Sequence, residues 1–301
     1  MVSQRMKRRA LELIGELITN RQGKRFASFI HSLQMMGYVI RKPPAPEEWR
    51  LVDAMYYLDR LNYCEANFDV WGYSFYFNLL RLSFSDVMAL IEKIQEKDTY
   101  RLQDLTISDP VVMDVGAHIG VFSRYVLHEK PKATVYALEP DRDNFKLLTM
   151  NLKPFGQAFC VQKGVLDKKD TLELYTSKKI DWRSSLMIKE GFKDKLEFEP
   201  EEYMNAYRVE VTDIDSFIAE SGLSKLDLLK LTVPGEIEPL VLAGAGQAIK
   251  KFRPQISLYV YPANMLKVGV FFKDIGGYQE ITPADDSIPA GYRIFQPLEH
   301  Y

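Results

Sequence analysis

The order of hydrophobic and polar positions separates a helical first third of the chain from an alternating remainder. Residues 5–19, 25–39 and 51–61 carry apolar side chains at helical spacing, with the proline-rich break RKPPAPEEW before the third stretch. The aromatic-rich segment FDVWGYSFYFNLLRL fits neither the helical nor the strand period clearly, and helical spacing returns from about Ser85 to Lys97. We therefore expect residues 1–104 to form a helical N-terminal region.

From Val111 onward, short apolar runs alternate with amphipathic stretches of helical length. Strands are predicted at VVMDV, TVYALEP, FCVQKGVL, TLELYTS, LDLLKLTV, PQISLYVYP and YRIFQP. Helices are predicted between them, over residues 119–128, 141–151, 213–221, 237–250 and 264–275. This alternation implies right-handed crossovers and a mostly parallel sheet with helices on both faces. The predicted fold class is α/β and Rossmann-like, with one such domain over residues 105–301.

Composition and charge exclude several classes of protein. The 301 residues are 47% hydrophobic, and 39 basic and 41 acidic side chains give a formal net charge of -2 at pH 7. These charges are mixed along the chain, so no nucleic-acid partner is indicated. No convincing signal peptide and no apolar run long enough to span a membrane is present, so we expect a soluble, cytoplasmic protein with no integral membrane segment. Two distant cysteines indicate neither disulfides nor a thiolate metal site.

A glycine loop follows the first predicted strand of the α/β part. The sequence D-V-G-A-H-I-G places Asp114 two residues before Gly116, and Gly120 opens the next helix. In such sheets ligands bind beyond the carboxyl ends of the strands. A dinucleotide site would read G-x-G-x-x-G, whereas an acid before the glycines would repel a pyrophosphate and could receive an ammonium group. The loop therefore favours a cofactor with an amino-acid head. The alternative is that the glycines serve only a tight strand-to-helix turn.

An acid at the end of the second strand points to the rest of this cofactor. Glu139, followed by Pro140, lies about twenty residues beyond the loop, where a carboxylate can accept both ribose hydroxyls. Together these features describe S-adenosylmethionine. Its methionine end is expected at Asp114 and Gly116, its ribose at Glu139, and its adenine near Gly164 and Val165.

Taken as a set, the motifs resemble the FkbM family of S-adenosylmethionine-dependent methyltransferases. The blocks that resemble it are DVGAHIGVFS, ALEPDRDNFKLLTMN, VQKGVLDKKDTLELY, RSSL, VEVTDIDSF, LDLLKLTVPG and VLAGAGQAIKKFRP, over roughly residues 108–298. The resemblance implies a class I sheet of seven strands, the last antiparallel, and methyl transfer to a hydroxyl on a sugar, polyketide or similar metabolite. It also implies cofactor positions at Asp114, Gly116, Ala117, Gly120, Glu139 and Asn144, and the assignment of Asn144 depends on it alone.

The fifth-strand motif departs from the family pattern. Where the family reads K-I-D-V-E-G-x-E, this chain reads K-L-T-V-P-G-E-I, so Thr232, Pro234 and Ile237 replace three acids. Glu236 and Glu238 remain nearby but shifted. We expect them to face solvent or to favour the N-terminus of the following helix, with a direct role as the alternative. The next strand supplies no carboxylate either, because it ends in tyrosines.

The loss of these acids leaves few candidates for catalysis. His118 lies inside the glycine loop, and histidine is the side chain that titrates near neutral pH. Lys230 ends a strand on the cofactor side and could lower a nucleophile's pKa or bind an acidic acceptor. Both have ordinary alternatives, a loop histidine touching backbone or solvent and a solvated lysine. The other three histidines show no ligand spacing, so no metal site is expected.

The sequence leaves three functions to compare. The first is O-methylation of a small-molecule or glycan acceptor, with residues 1–104 as a lid, an acceptor-site wall or a homo-oligomer contact. The second is a non-catalytic S-adenosylmethionine-binding or scaffolding protein that has lost the usual acids. The third is a nicotinamide-dependent oxidoreductase, which the glycine pattern and the preceding acid disfavour.

Overall fold

The computed structural model describes residues 38–39, 64–70, 73–77, 84–177, 185–187, 203–233, 237–283 and 288–298. The chain divides into two compact units, Met1–Ala89 and Leu90–Tyr301. The predicted helices over residues 5–19 and 51–61, and nearly all of the one over 25–39, lie outside the described residues. Pro234 and Glu236 lie outside them too. The predicted boundary between residues 104 and 105 remains a prediction.

The described part of the first unit contains a small antiparallel sheet. Its strands β1 (Tyr38–Val39), β2 (Cys64–Val70) and β3 (Tyr73–Phe77) pair in the order β1-β2-β3. The helical prediction over 25–39 is therefore wrong at its last two residues. The described residues of the aromatic-rich segment, 68–70 and 73–77, are strand residues. Phe75 and Phe77 are fully buried while Tyr76 between them is only half-buried, which is the period of a strand. Helix α1 (Phe84–Gln95) follows, and the boundary between the units lies within it.

The second unit contains the sheet that the alternating pattern predicted. Its seven strands are β4 (Val111–Val115), β5 (Thr134–Leu138), β6 (Ala158–Val161), β11 (Leu228–Leu231), β12 (Gln255–Tyr259), β13 (Tyr278–Glu280) and β14 (Tyr292–Pro297). They are ordered β13-β14-β12-β11-β4-β5-β6. Among these seven, β14 runs antiparallel to the other six strands. The mostly parallel α/β fold and the antiparallel last strand are confirmed.

A second sheet of four strands corrects two strand predictions. Its members β7 (Gly164–Val165), β8 (Asp170–Ser177), β9 (Ser185–Met187) and β10 (Tyr203–Thr212) pair in the order β7-β10-β8-β9. FCVQKGVL, predicted as one strand, is divided between β6 and β7 in different sheets. TLELYTS is a strand of this smaller sheet, where it pairs antiparallel to β10. The pattern did not predict β10.

Six helices of the second unit follow α1 in the described residues. They are α2 (Val121–Glu129), α3 (Arg142–Leu152), α4 (Ile214–Ser221), α5 (Glu238–Ala243), α6 (Gly246–Phe252) and α7 (Met265–Ile275). The single helix predicted over 237–250 is two helices. The second helix has its own N-terminal cap, which comes from another helix. The Asp215 carboxylate of α4 accepts hydrogen bonds from the backbone N–H groups of Gln247 and Ala248, at 3.0 and 2.7 Å, so α6 begins as a separate helix.

Strand register brings the predicted site residues to one edge of the sheet. β4 lies between β5 and β11, and its residues from Val112 to Val115 are buried, as expected for a parallel strand covered on both faces. Asp114 pairs in register with Lys230 of β11. Residues that follow these strands therefore meet at the same carboxyl edge.

Candidate active site

A cavity of about 510 Å³ lies at the carboxyl ends of the central strands. This is where open parallel sheets bind ligands, and its size is usual for a small-molecule site. The predicted site residues that line it are Gly116, Ala117, His118, Glu139, Pro140, Asn144, Gly164, Val165 and Lys230. Asp114 and Gly120 do not line it. The roles given to all of these residues remain predictions.

Asp114 lies behind the cavity wall, in a fully buried cluster of polar groups. Its Oδ1 is 2.8 Å from Lys230 Nζ, and its Oδ2 accepts from Ser123 Oγ at 2.6 Å. Lys230 Nζ also donates to the Gly116 carbonyl at 2.8 Å. The sequence predicted that Asp114 would receive the ammonium group of a cofactor. In the structure the ammonium group beside Asp114 is that of Lys230. Lys230 is neither a solvated surface lysine nor a free cation, since its side chain is 4% exposed and paired.

The two loop glycines are required by close packing. Gly116 has φ 72°, and a Cβ there would lie 2.0 Å from the Thr232 carbonyl oxygen. Gly120 has φ 88°, and its Cβ would lie 2.7 Å from Leu148 of α3. Both positions therefore exclude larger residues because of the protein's own backbone and side chains. Gly116 also lines the cavity, so it serves the turn and the cavity wall together.

Glu139 presents a buried carboxylate at the end of β5. Its Oε2 accepts from the His118 backbone N–H at 2.8 Å, and its Oε1 accepts from that of Asp141 at 3.0 Å. His118 adopts φ 55° in the left-handed region, which forms part of the turn that faces Glu139. Burial, reinforced by the nearby Asp141 charge, raises the pKa of the Glu139 carboxyl to about 7. Carboxylate oxygens have further lone pairs, so this group can accept additional hydrogen bonds from a ligand.

Asn144 adds an unsatisfied polar group beside Glu139. Asp141 caps α3 by accepting from the N–H groups of Asp143 and Asn144, which fixes Asn144 in the first turn of the helix. Asn144 is 2% exposed, it lines the cavity, and its Oδ1 has no hydrogen-bond partner among the described residues. Buried amide oxygens are nearly always satisfied. The pair of Glu139 and Asn144 therefore fits a ligand with hydroxyl and amine donors, as the nucleoside half of S-adenosylmethionine has.

Tyr100 enters the opposite part of the cavity from a segment before β4. Its backbone carbonyl accepts from Ser257 Oγ at 2.8 Å and from Gln255 Nε2 at 3.2 Å, both on β12. Its hydroxyl lies 3.2 Å from Thr232 Oγ1, at the position where the family has an acid. Burial raises the pKa of Tyr100 to about 12, so its hydroxyl is a neutral hydrogen-bonding group at physiological pH.

Tyrosine side chains form one wall at this end of the cavity, which we call the tyrosine wall: Tyr100, Tyr259, Tyr261 and Tyr292. The rings meet edge to face, with centroids 5.5 Å apart for Tyr100 and Tyr292, and 5.2 Å apart for both Tyr259 and Tyr292 and Tyr259 and Tyr261. Lys93 of α1 places its Nζ 4.4 Å from the Tyr292 ring centroid. Such contacts fix aromatic rings in place.

The tyrosine wall and the Glu139 end are separated along the sheet. Tyr292 is on β14 and Glu139 follows β5, with β12, β11 and β4 between these two strands. At the usual strand spacing of about 4.8 Å, the axes of β14 and β5 are roughly 19 Å apart. One cavity thus has a carboxylate end and a phenol end, far enough apart for two ligands or one extended ligand.

Glu238 corrects the prediction for the acids after β11. It is fully buried at the start of α5, so it does not face solvent. Its carboxylate accepts from the Tyr261 backbone N–H at 2.7 Å and from Asn264 Nδ2 at 2.8 Å. Glu238 therefore holds the turn that follows β12, and this turn carries Tyr261 of the tyrosine wall.

Sequence reasoning missed most of the phenol end of the site. Tyr259 and Tyr261 had a usable signal, because they stand at the carboxyl end of a strand. Lys93, Tyr100 and Tyr292 had none, since they come from a helix, a loop and the antiparallel strand. Among the described residues, no group of three or more His, Cys, Asp or Glu side chains could hold a metal ion. No helix in the part of the chain that the structure describes is long and apolar enough to cross a membrane.

Comparison with protein families gives a direct match. The family model described as the Methyltransferase FkbM domain matches residues 114–279, which is more than half of the 301 residues. That range includes the last two residues of β4, the glycine loop, Glu139, Asn144, Lys230 and Glu238. It begins after Lys93 and Tyr100 and ends before Tyr292.

Several curated proteins are also similar. 2-O-methyltransferase NoeI of Sinorhizobium fredii (strain NBRC 101917 / NGR234) is 26% identical over 149 residues, which cover 48% of this chain and 61% of that protein. Methyltransferase sdnD of Sordaria araneosa is 29% identical over 157 residues, covering 44% of this chain and 60% of that protein. The chain therefore spans less than two thirds of the length of these relatives.

Among solved structures, the matches are distant. TYW2 of M. jannaschii in complex with AdoMet has 12% identity and a TM-score of 0.40, with 79% of this chain and 87% of that chain covered. Precorrin-6y C5,15-methyltransferase of Geobacter metallireducens GS-15 has 14% identity and a TM-score of 0.36, with 71% and 88% covered. Nothing about function follows at these TM-scores.

Proposed function

The chain belongs to the FkbM methyltransferase family, and from this premise we propose that it transfers a methyl group from S-adenosylmethionine to a hydroxyl of a small molecule or glycan. The observation that carries the proposal is the single cavity that joins Glu139 and the unsatisfied Asn144 to the tyrosine wall. One end suits a nucleoside, and the other suits a hydroxylated acceptor. The name of NoeI, a 2-O-methyltransferase, supports oxygen as the methylated atom.

The cofactor end of the proposed site is built by the loops after β4 and β5. Glu139 would accept hydrogen bonds from ribose hydroxyls, and Asn144 Oδ1 would gain the partner that it lacks in the described structure. Gly116 and Ala117 would form the wall beside the methionine part, while Gly164 and Val165 would border the adenine. Asp114 would not contact the cofactor. It would hold Lys230, and through Lys230 the glycine loop, in place behind the cavity wall.

S-Adenosylmethionine would supply a methyl group bound to a sulfonium sulfur. The acceptor oxygen bonds to the methyl carbon in line with the carbon–sulfur bond, and the sulfur leaves as the thioether of S-adenosylhomocysteine. Most of the acceleration can therefore come from aligning the acceptor oxygen in a site from which water is excluded. Tyr100 and Thr232 are placed to hydrogen-bond an acceptor hydroxyl between the two ends of the cavity. The acceptor proton needs a base at some stage, and His118 is the candidate among the described lining residues.

The region before β4 has a place in this proposal. Lys93 and Tyr100, both within residues 1–104, line the acceptor end of the cavity. This supports the acceptor-site wall among the three roles expected for that region. The lid and the homo-oligomer contact remain predictions.

The test is cofactor binding followed by methyl transfer. Calorimetry with S-adenosylhomocysteine should show binding to the wild-type chain and at least tenfold weaker binding to Asn144→Leu, because the buried amide loses its ligand partner. Transfer of a labelled methyl group from S-adenosylmethionine to a panel of hydroxylated acceptors should then give an ether product. Equal binding by both proteins, or product with the label on nitrogen or carbon, contradicts the proposal.

One observation favours a second function. Glu139 is the only acidic side chain among the described cavity-lining residues, and Lys230 is held by Asp114. A non-catalytic protein that binds S-adenosylmethionine would fit such a site equally well. It predicts tight cofactor binding and no methylated product with any acceptor, whereas one ether product that disappears in Tyr100→Phe would exclude it.

A further inference from the structure

Lys93 differs from the other cations that line the cavity. Lys230 is paired with Asp114 at 2.8 Å, and Lys163 lies 3.2 Å from Glu210. Lys93 forms no ion pair with a carboxylate among the described residues, and its Nζ lies over the Tyr292 ring. An ammonium group in a half-buried position without an acidic partner is an available site for an anion.

The surroundings of Lys93 hold it at the acceptor end. The backbone carbonyl of Lys93 accepts a hydrogen bond from Thr99 Oγ1, which ties the end of α1 to the segment that positions Tyr100. Tyr292 is buried beside the half-buried Lys93, and burial raises the pKa of the Tyr292 hydroxyl, so no phenolate neutralises Lys93. Glu139, the acidic side chain among the described lining residues, follows β5, whereas Lys93 lies over Tyr292 of β14, and three strands of the sheet separate β5 from β14.

We infer that the methyl acceptor carries a negatively charged oxyanion, a carboxylate or a phosphate, that pairs with Lys93 at the tyrosine wall. The inference rests on the proposed function and narrows its substrate class to acidic hydroxylated compounds. The tyrosine rings would contact the carbon skeleton of the acceptor, as aromatic side chains do with flat apolar faces. The charge–charge contact would set the orientation, so that one hydroxyl points to the cofactor end.

The experiment compares acceptors that differ in charge. Calorimetry on the full chain, saturated with S-adenosylhomocysteine, would use methyl glucoside, methyl glucuronide and glucose 6-phosphate as probes. At least one acidic probe should bind about tenfold or more tightly than the neutral one, the usual worth of a charge-assisted contact. The two acidic probes distinguish a carboxylate from a phosphate ligand.

Variants of Lys93 supply the decisive comparison. Lys93→Gln should bring the affinities for acidic and neutral probes within about twofold, and Lys93→Glu should reverse the preference. Lys97→Glu is the matched control, because it makes the same charge change at an exposed position of the same segment, outside the cavity. It should keep the wild-type preference. Circular dichroism and an unchanged S-adenosylhomocysteine affinity would show that the variants fold.

The outcomes separate this inference from the proposed function. If S-adenosylhomocysteine does not bind the wild-type chain, the proposed function fails. If it binds but neither acidic probe does, or acidic and neutral probes bind equally, the inference alone is overturned. The same holds if Lys97→Glu changes the preference as much as Lys93→Glu.

Discussion

At the scale of single residues, Glu139 makes the carboxylate end of the cavity sensitive to pH. Its pKa is raised from 4.5 to about 7, chiefly by burial. Protonation of Glu139 therefore favours the folded chain. This contribution to the free energy of unfolding is complete below pH 4.5 and is lost as pH rises to about 7. The ribose hydroxyls of the proposed ligand would donate best to the ionised carboxylate, so we expect the ligand and the proton to compete for Glu139.

We predict that S-adenosylhomocysteine binds more weakly as pH falls below about 7, by up to about tenfold per pH unit. Calorimetry between about pH 8 and about pH 6 measures this, with proton release checked in two buffers. Glu139→Gln should bind weakly and without pH dependence. Asp143→Asn, an acid one turn away and 53% exposed, should retain the wild-type profile. A flat wild-type profile contradicts the role of Glu139.

The buried pair of Asp114 and Lys230 should contribute to the free energy of unfolding. Removing one member leaves a buried charge unpaired, which costs about 3–5 kcal/mol. We expect Lys230→Met to lower the free energy of unfolding by that amount, and the double variant Asp114→Asn, Lys230→Met to recover much of it. Urea unfolding followed by fluorescence measures both.

Lys225→Met is the control for the buried pair. Lys225 lies 3.2 Å from Asp227 but is 42% exposed, so its loss should cost only about 0–1 kcal/mol. If Lys230→Met costs as little, Lys230 is not held as an internal counter-ion to Asp114.

At the scale of elements, the start of α5 is connected to the turn after β12. The two hydrogen bonds to Glu238 join these segments and fix Tyr261. The carboxylate has no charged partner in either bond, so its contribution is positional. The motif after β11 lacks the acids of the family pattern, but Glu238 at the start of α5 is an acid, and it positions Tyr261 of the tyrosine wall.

We predict that Glu238→Ala lowers the free energy of unfolding by about 1–3 kcal/mol, because buried donors lose their acceptor. It should raise KM for the acceptor and leave S-adenosylhomocysteine affinity within about twofold. Glu238→Gln should restore much of both, since the Asn264 amide can turn to present its oxygen. Steady-state kinetics and calorimetry on the same preparations test this. Loss of cofactor binding in both variants would contradict it, with the exposed Glu220→Ala as the neutral control.

At the scale of the whole molecule, ligand binding should stabilise the fold. Only the folded chain brings β4, β5 and α3 together around the cavity. S-Adenosylhomocysteine at a hundredfold excess over its Kd should therefore add about 2.7 kcal/mol to the free energy of unfolding. A thermal-shift series measures this, and Asn144→Leu should show a smaller shift. NADH is the control, and a shift with NADH alone would revive a nicotinamide-dependent oxidoreductase.

The fold was largely predictable, and so was the edge of the sheet that holds the cavity. Strand-length apolar runs separated by helical periods are local patterns, and they indicated all but one of the main-sheet strands, missing only the short β13. The smaller sheet was not predictable, because β7 and β8 read like further strands of the main sheet. The break between α5 and α6 was missed because its cap, Asp215, comes from another helix.

The sequence by itself determined the alternation of strands and helices that builds the main sheet, the glycine loop and the acid after β5, and with these the family. Each depends on residues close together along the chain. Only the tertiary structure decided that Lys230 faces Asp114, that Glu238 holds Tyr261, and that Lys93 lies over Tyr292. Such contacts join segments distant in sequence, and they follow from strand register and burial, which no local spacing encodes.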